Sequence, residues 1–131
     1  VMVTSVSGPV MAMRADVAYA AAKAGLVGLT RALAVDEAAR GITVNAVAPG
    51  LVPTDLAAGL VGNETTVQEY LNRMPVSRLG TTEDIANSVA FLLSDEAAWV
   101  TGLVLPTDGG HNLRQGPNLL PQFRQFLPEE R

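Results

Sequence analysis

The sequence contains no cysteine and a single histidine, so it has few of the side chains that bind transition metals or form covalent crosslinks. A disulfide framework and a thiolate metal site are therefore excluded, and one histidine cannot build a zinc site alone. Charged residues are also scarce, at 17% of 131 residues, whereas 48% are hydrophobic. This composition indicates one globular domain, with few enough polar groups to examine singly.

An excess of positive charge is also missing. The formal net charge of -4 disfavours nucleic acid or an acidic membrane surface as the main partner, because surplus Lys and Arg are needed to neutralise phosphates. No apolar run has the length of a membrane span, and the N-terminus lacks the charged head and cleavage site of a signal peptide. We therefore expect a cytoplasmic protein that acts on a small molecule.

Short apolar runs alternate with helical patterns along the chain. Three runs are predicted to be strands: VMVTS at 1–5, ITVNAVA at 42–48 and GLVLPTDGG at 102–110. Three segments are predicted to be helices: about 17–40, closed by Gly41; around 67–73; and a segment capped by Thr81 or Thr82, with Glu83 and Asp84 in its first turn. Continuous apolar strands joined by helical crossovers predict a parallel sheet covered on both faces.

Tyr19 and Lys23 lie four positions apart in the first helix, which places them on one face. A core tyrosine beside a solvated lysine is one interpretation. The other is a phenol made more acidic by the neighbouring cation, since a free phenol has a pKa of about 10. Reactive groups gather beyond the carboxyl ends of parallel strands, where Ser5 and the turn VAPGLVPTD would join this pair. Such a site suits proton transfer at a carbonyl or alcohol.

The order of these motifs resembles the short-chain dehydrogenase/reductase family. VTSVSG, YAAAK, GITVNAVAPGLVPTD, RLGTTEDIANSVAFLLSDEAAWVTG and DGG follow one another in the family's order over residues 1 to about 110. Within the family, the sequence looks most like the 3-oxoacyl-[acyl-carrier-protein] reductase type. The resemblance implies an α/β fold: the C-terminal half of a Rossmann-type doubly wound parallel sheet over 1–110, with three parallel strands and flanking helices, then a C-terminal extension over 111–131.

The resemblance also implies an activity, the transfer of hydride between NAD or NADP and a carbonyl or secondary alcohol. Tyr19 would be the general acid/base, Lys23 would bind the nicotinamide ribose and tune the phenol, and Ser5 would orient the substrate oxygen. Ser7 is a second candidate for that last role, and the turn at Gly8 favours Ser5. The remaining cofactor contacts implied by the family are the turn residues Pro49, Gly50, Leu51, Val52 and Thr54.

One family motif is missing from the sequence, the glycine-rich TGxxxGxG turn that holds the cofactor pyrophosphate. We therefore expect a fragment that lacks the N-terminal cofactor-binding half, is inactive alone and leaves its first strand as an unpaired edge. A catalytically silent scaffold or oligomerisation module that keeps the same fold is the alternative function. The complete serine, tyrosine and lysine set favours the enzyme.

Several other residues carry structural expectations. Asn45 is expected to tie backbone segments together, because a buried amide needs hydrogen-bond partners. Gly25 and Gly28 open a small-residue face on the first helix, which packs either against another subunit of a dimer or tetramer, as the family implies, or within the chain. Residues 55–77 are expected to cover a partly apolar substrate pocket with Leu56, Leu60, Val61, Tyr70, Leu71 and Met74. Phe91 and Trp99 are expected to lie in the core, and His111 is expected to be exposed.

Overall fold

The structure is a computed structural model that describes residues 1–113, Leu119 and Pro121. The extension expected over 111–131 therefore lies outside the described residues from 114 onward, apart from those two positions.

Among the described residues, three parallel strands form one sheet, as the sequence predicts. They are β1 (Met2–Val3), β2 (Ala46–Pro49) and β3 (Val104–Thr107), in the order β1-β2-β3. Met2 pairs with Ala46, which pairs in turn with Val104. Each strand is shorter than its apolar run, because only residues with a partner on the neighbouring strand enter the ladder.

In the described part of the chain, four α-helices lie between these strands: α1 (Val17–Glu37), α2 (Ala58–Val61), α3 (Glu64–Leu71) and α4 (Thr82–Leu93). A 3₁₀ turn, Ala38–Arg40, continues α1 to Gly41, whose φ of 73° is the left-handed cap expected there. The helix predicted around 67–73 begins earlier, where the side chain of Asn63 accepts a hydrogen bond from the Thr66 N–H. Thr81, rather than Thr82, caps α4.

The core is centred on β2, the middle strand of the sheet. Ala46, Val47 and Ala48 are fully buried, since β2 has a strand neighbour on both sides. Asn45, also fully buried, donates from Nδ2 to the Val100 carbonyl at 2.8 Å and accepts from the Leu103 N–H at 3.0 Å. The expectation that this amide ties backbone segments together is therefore confirmed.

Two core expectations are wrong. Trp99 is fully exposed and Phe91 is 45% exposed. Phe91 precedes the buried Leu92 on α4, and successive helical residues point about 100° apart, so the two cannot share the inward face.

Gly25 and Gly28 have no neighbour within 4 Å of an added Cβ in the described part of the chain. Packing within the chain, one of the two alternatives for this face, is therefore not observed at these glycines.

Candidate active site

Ser5 is held rigidly beside β2, although β1 formally ends at Val3. The parallel hydrogen bonds continue from Thr4 N to Val47 O at 2.8 Å and from Val6 N to Pro49 O at 3.1 Å. Ser5 lies between those two residues and is buried, and its Oγ accepts the Ser7 N–H at 3.1 Å. With its oxygen engaged in this way, Ser5 keeps its hydroxyl hydrogen for a further partner.

Tyr19 and Lys23 lie together on α1, with the Lys23 Nζ 5.5 Å from the centroid of the Tyr19 ring. Lys23 also fastens α1 to the end of β1, because its Nζ donates to the Val3 carbonyl at 3.0 Å and its own carbonyl accepts from Thr4 Oγ1 at 2.6 Å. Tyr19 is 38% exposed, so the interpretation as a core tyrosine is wrong.

The loop after Ser5 packs directly on the first turns of α1. Gly8 has a φ of 96°, and a Cβ there would lie 2.9 Å from the Cα of Ala20. A larger residue would therefore be strained and would push the loop away from the helix. This close approach sets the position of Ser5 relative to Tyr19.

The turn after β2 is fixed from two sides. Gly50 donates its N–H to Thr107 at 3.1 Å, and a Cβ on Gly50 would lie 2.8 Å from the Cα of Asp108. On the other side, the Leu51 carbonyl accepts the Gly80 N–H at 3.1 Å. The turn is therefore held between β3 and the segment that leads into α4.

A cavity of about 540 Å³ opens where these segments meet. The structure brings all of the sequence-predicted site residues to its wall: Ser5, Tyr19, Lys23, Pro49, Gly50, Leu51, Val52 and Thr54. They come from three separate parts of the chain, the end of β1, the start of α1 and the turn after β2. Their juxtaposition agrees with the rule that ligands bind beyond the carboxyl ends of parallel strands.

Part of the expected apolar cover also lines the cavity. Leu56, Leu60 and Tyr70 are on its wall, whereas Val61, Leu71 and Met74 are not among the lining residues. Met74 is buried elsewhere in the core. The sequence-based expectation for this segment is therefore partly correct.

His111 is the main residue that sequence reasoning misjudged. It was expected to be exposed, but it is 7% exposed and lines the cavity, with its ring centroid 4.9 Å from that of Tyr70. Gly109 and Gly110, with φ of 64° and 82°, turn the chain back on itself immediately before it. In the sequence, the glycine pair was the available signal that His111 could fold back onto the protein, because consecutive left-handed residues reverse the chain after β3.

Burial shifts the titration of both rings in this contact. It lowers the pKa of the His111 imidazole, and the opposing influence of Asp108 is weaker. Burial also raises the pKa of the Tyr70 hydroxyl, and the negative charge of Asp16 acts in the same direction. Both groups are therefore neutral at neutral pH. Asp16, Met11 and Met13 are further lining residues that the sequence did not single out.

Comparison with known proteins identifies the family. A sequence profile described as Enoyl-(Acyl carrier protein) reductase matches residues 1–112. The chain is 46% identical over 92 residues to the Escherichia coli 3-oxoacyl-[acyl-carrier-protein] reductase FabG, covering 70% of this chain and 37% of that protein. It therefore spans less than half the length of this curated relative.

Two solved structures share the fold. A short-chain type dehydrogenase/reductase from Mycobacterium ulcerans superimposes with a TM-score of 0.81 at 34% identity, over 94% of this chain and 44% of the other. A 4-hydroxyisoleucine dehydrogenase complexed with NADH gives 0.82 at 31% identity, over 86% and 46%. The fold, the matched profile and the similarity to the 3-oxoacyl-[acyl-carrier-protein] reductase type together show that this chain belongs to the short-chain dehydrogenase/reductase family.

Proposed function

We propose that the full-length protein carrying this chain is an NAD(P)-dependent oxidoreductase that transfers hydride between a nicotinamide cofactor and a carbonyl or secondary alcohol. The observation that carries the proposal is the shared cavity, which is lined by Ser5, Tyr19 and Lys23 together with residues of the turn from Pro49 to Thr54. The names of the relatives support it, since they are a reductase and an NADH-bound dehydrogenase.

The chain would form the C-terminal half of the catalytic domain. Its match to about two fifths of FabG supports this assignment, as does the lack of a TGxxxGxG turn in its sequence. In the full-length protein, the pyrophosphate and adenosine would then be bound outside these residues. The chain described here supplies the nicotinamide and substrate side of the site.

The reduction of a carbonyl needs a proton for the oxygen and a hydride for the carbon. Tyr19 would donate the proton from its hydroxyl, and Ser5 would hydrogen-bond the same oxygen while negative charge develops on it. Lys23 lies beside Tyr19, with its Nζ 5.5 Å from the centroid of the Tyr19 ring. When bound, the nicotinamide supplies the hydride in this direction and accepts it in the reverse direction.

The residues present fit such a cofactor. The wall formed by Pro49, Gly50, Leu51 and Val52 is held closely against Asp108 and Gly80, so it offers a fixed, largely apolar surface to a flat ring. The ammonium of Lys23, which also lines the cavity, suits the hydroxyls of a ribose. Thr54 adds a hydroxyl beyond the turn. NAD and NADP are both compatible with these contacts.

The proposal is tested by replacing Tyr19 with Phe in the full-length protein. The ring stays and the transferable proton is lost, so we expect kcat for ketone reduction to fall by roughly 10²- to 10⁴-fold, with cofactor affinity retained. Lys23→Met is expected to reduce both. Tyr70→Phe is the matched control, because it removes the hydroxyl of the other tyrosine and should cost far less in kcat.

Oxidation of the reduced nicotinamide, followed by absorbance, provides the rates, and calorimetry provides the cofactor affinity. Near-normal turnover by Tyr19→Phe would assign the acid to another residue. A wild-type protein that binds cofactor but turns over no ketone would instead favour the silent scaffold.

Assembly and location belong to the same proposal. The open Gly25 and Gly28 lie on α1 together with the exposed Val17, Leu29 and Val35, which supports contact with another subunit through this helix. We propose a homo-oligomer on this basis. No helix in the described part of the chain is long and apolar enough to cross a membrane. A cytoplasmic location is proposed from the sequence alone.

A further inference from the structure

Two residues that line the cavity each carry one buried polar atom with no hydrogen-bond partner among the described residues. These atoms are Oδ2 of Asp16 and Nδ1 of His111. Both residues line the cavity that holds Ser5 and Tyr19. Buried polar atoms are almost always hydrogen-bonded in folded proteins, so an unpaired one beside a cavity indicates a missing partner.

Asp16 lies at the N-terminus of α1, where its side chain would be expected to cap the helix but does not. It directly precedes α1, where a carboxylate usually accepts a hydrogen bond from the first turn, yet its side chain makes no capping bond. Its backbone carbonyl alone engages the helix, accepting the Ala20 N–H at 2.8 Å. The carboxylate therefore makes no hydrogen bond to the first turn of α1.

The Nδ1 of His111 likewise makes no hydrogen bond to the described residues around it. The charge of Asp108 acts on the imidazole, but the Asp108 carboxylate accepts hydrogen bonds from Gly110 N, Asn112 N and Asn112 Nδ2 at 3.0, 2.7 and 2.8 Å. The His111 backbone N–H bonds to the Asp108 carbonyl, so the loop is closed without the imidazole. The side chain is more than nine-tenths buried at the cavity wall and its Nδ1 has no partner among the described residues.

Tyr70 connects these two residues. Its ring contacts that of His111, and the charge of Asp16 acts on its hydroxyl. The Tyr70 hydroxyl donates to the sulfur of Met13 at 3.2 Å, and a thioether is a weak acceptor. A ligand could therefore displace this bond at little cost.

We propose that Asp16 and His111 bind hydroxyl groups of the substrate, so that the enzyme acts on hydroxylated carbonyl compounds and their alcohols rather than on plain alkyl ketones. This inference rests on the proposed function, because it assigns a substrate class to the same site. A hydroxyl matches both residues: it donates to a carboxylate, and it can donate to or accept from Nδ1 in either tautomer of a neutral imidazole.

The remaining lining residues are consistent with this class. A plain alkyl chain would leave both buried atoms unpaired, which a binding site disfavours strongly. Met11, Leu56 and Leu60 provide apolar contacts for the carbon skeleton. The substrate carbonyl would lie against Tyr19 and Ser5.

The test uses the full-length protein and three pairs of ketones of equal chain length: hydroxyacetone with acetone, erythrulose with butanone, and xylulose with pentanone. The measured quantity is the ratio of kcat/KM for the hydroxylated member to that for the plain member. His111→Phe keeps the ring against Tyr70 and removes the nitrogens, and Asp16→Leu removes the acceptor at similar size. We expect each to lower the best ratio roughly tenfold or more, mainly through KM.

Conservative variants provide the controls. Asn at position 111 places an amide near the site of Nδ1, and Asn at position 16 keeps one acceptor oxygen, so His111→Asn and Asp16→Asn should retain most of the preference. Equal losses of kcat/KM for both members of each pair would indicate a purely structural role and would overturn the proposal. An unchanged ratio in His111→Phe and Asp16→Leu would also overturn it.

Binding is measured separately by saturation-transfer NMR of erythrulose with the wild-type and His111→Phe proteins. Binding that is lost in the variant supports the hydroxyl site even if no ketone is reduced, in which case the proposed function alone fails. Turnover that depends on Tyr19 but shows no dependence on His111 or Asp16 leaves the oxidoreductase intact and refutes the substrate class. Erythrulose binding of equal strength to both proteins refutes it as well.

Discussion

At the scale of single residues, the two serines after β1 have different environments. Ser5 lies between Thr4 and Val6, both of which donate to β2, so its position is set by the sheet. Ser7 contributes its backbone N–H to the Ser5 hydroxyl oxygen and pairs with Met11 in an isolated bridge. The backbone of Ser7, rather than its hydroxyl, therefore supports the site.

This difference predicts the ranking of two variants of the full-length protein. Ser5→Ala removes the donor to the substrate oxygen, and we expect kcat/KM to fall by roughly 10²- to 10³-fold. Ser7→Ala keeps the backbone N–H and should lose much less. Steady-state kinetics on both variants decides the assignment, since the opposite ranking would transfer the role to Ser7.

Residue chemistry was easier to predict from the sequence than residue exposure. Tyr19 and Lys23 could be identified as candidate site residues because their residue types and their spacing of four can be read without knowing how the helix packs. Exposure depends instead on what the chain folds over a side chain. His111 is buried because two left-handed glycines return it to Tyr70, and Trp99 is exposed because no described segment covers it.

At the scale of elements, the start of α4 shows how local bonds support the site. Thr81 and Asp84 form a capping box, in which each side chain accepts the backbone N–H of the other. The guanidinium of Arg78 donates hydrogen bonds to both carboxylate oxygens of Asp84, at 2.6 and 2.9 Å. These bonds hold the pKa of the Asp84 carboxyl well below its usual range. Further along α4, the Thr107 hydroxyl donates a hydrogen bond to the Ser88 hydroxyl at 2.9 Å, and this bond joins the helix to β3.

The cap predicts a measurable stability difference between adjacent threonines. Thr81→Ala removes the side-chain acceptor for the Asp84 N–H, and we expect the free energy of unfolding of the full-length protein to fall by about 1 kcal/mol. Thr82→Ala is the matched control, because in the described part of the chain the Thr82 hydroxyl donates to the exposed Glu83 carboxylate and caps no backbone N–H. Urea unfolding measures both changes. Equal losses in the two variants would show that the capping bond contributes nothing specific.

Element types followed from the sequence more closely than element ends. The alternation of apolar runs and helical patterns gave the parallel three-stranded sheet, and the left-handed Gly41 marked the end of the first helical segment. The strand ends could not be obtained in this way, because a ladder residue is defined by its partner on another strand. Helix α3 began before its apolar residues because Asn63 caps it.

At the scale of the whole molecule, the sheet places the site at one end and leaves β1 at an edge. In the described residues β1 has β2 as its strand neighbour, and Val1 and Val3 are 41% and 49% exposed. Apolar edge strands of this kind favour pairing with a further strand. In the proposed full-length protein, the cofactor-binding half would supply that strand and complete the cavity.

This arrangement predicts how the 131-residue chain behaves alone. It provides the wall at Pro49–Val52 and the ammonium of Lys23 but has no glycine-rich turn for the pyrophosphate, which a helix N-terminus and backbone N–H groups usually bind. We therefore expect calorimetry to detect NADH or NADPH binding by the full-length protein and only weak binding by the isolated chain.

A folding control separates missing contacts from a missing fold. The isolated chain should show helical circular dichroism from α1 and α4 and a cooperative thermal transition, and mixing it with the separately expressed remainder of the protein should restore cofactor binding. The partner strand beside β1 and the pyrophosphate turn would then arrive together, so binding and protection of the β1 amides from hydrogen exchange should increase in parallel. Micromolar affinity in the isolated chain would contradict the division of the site between two halves.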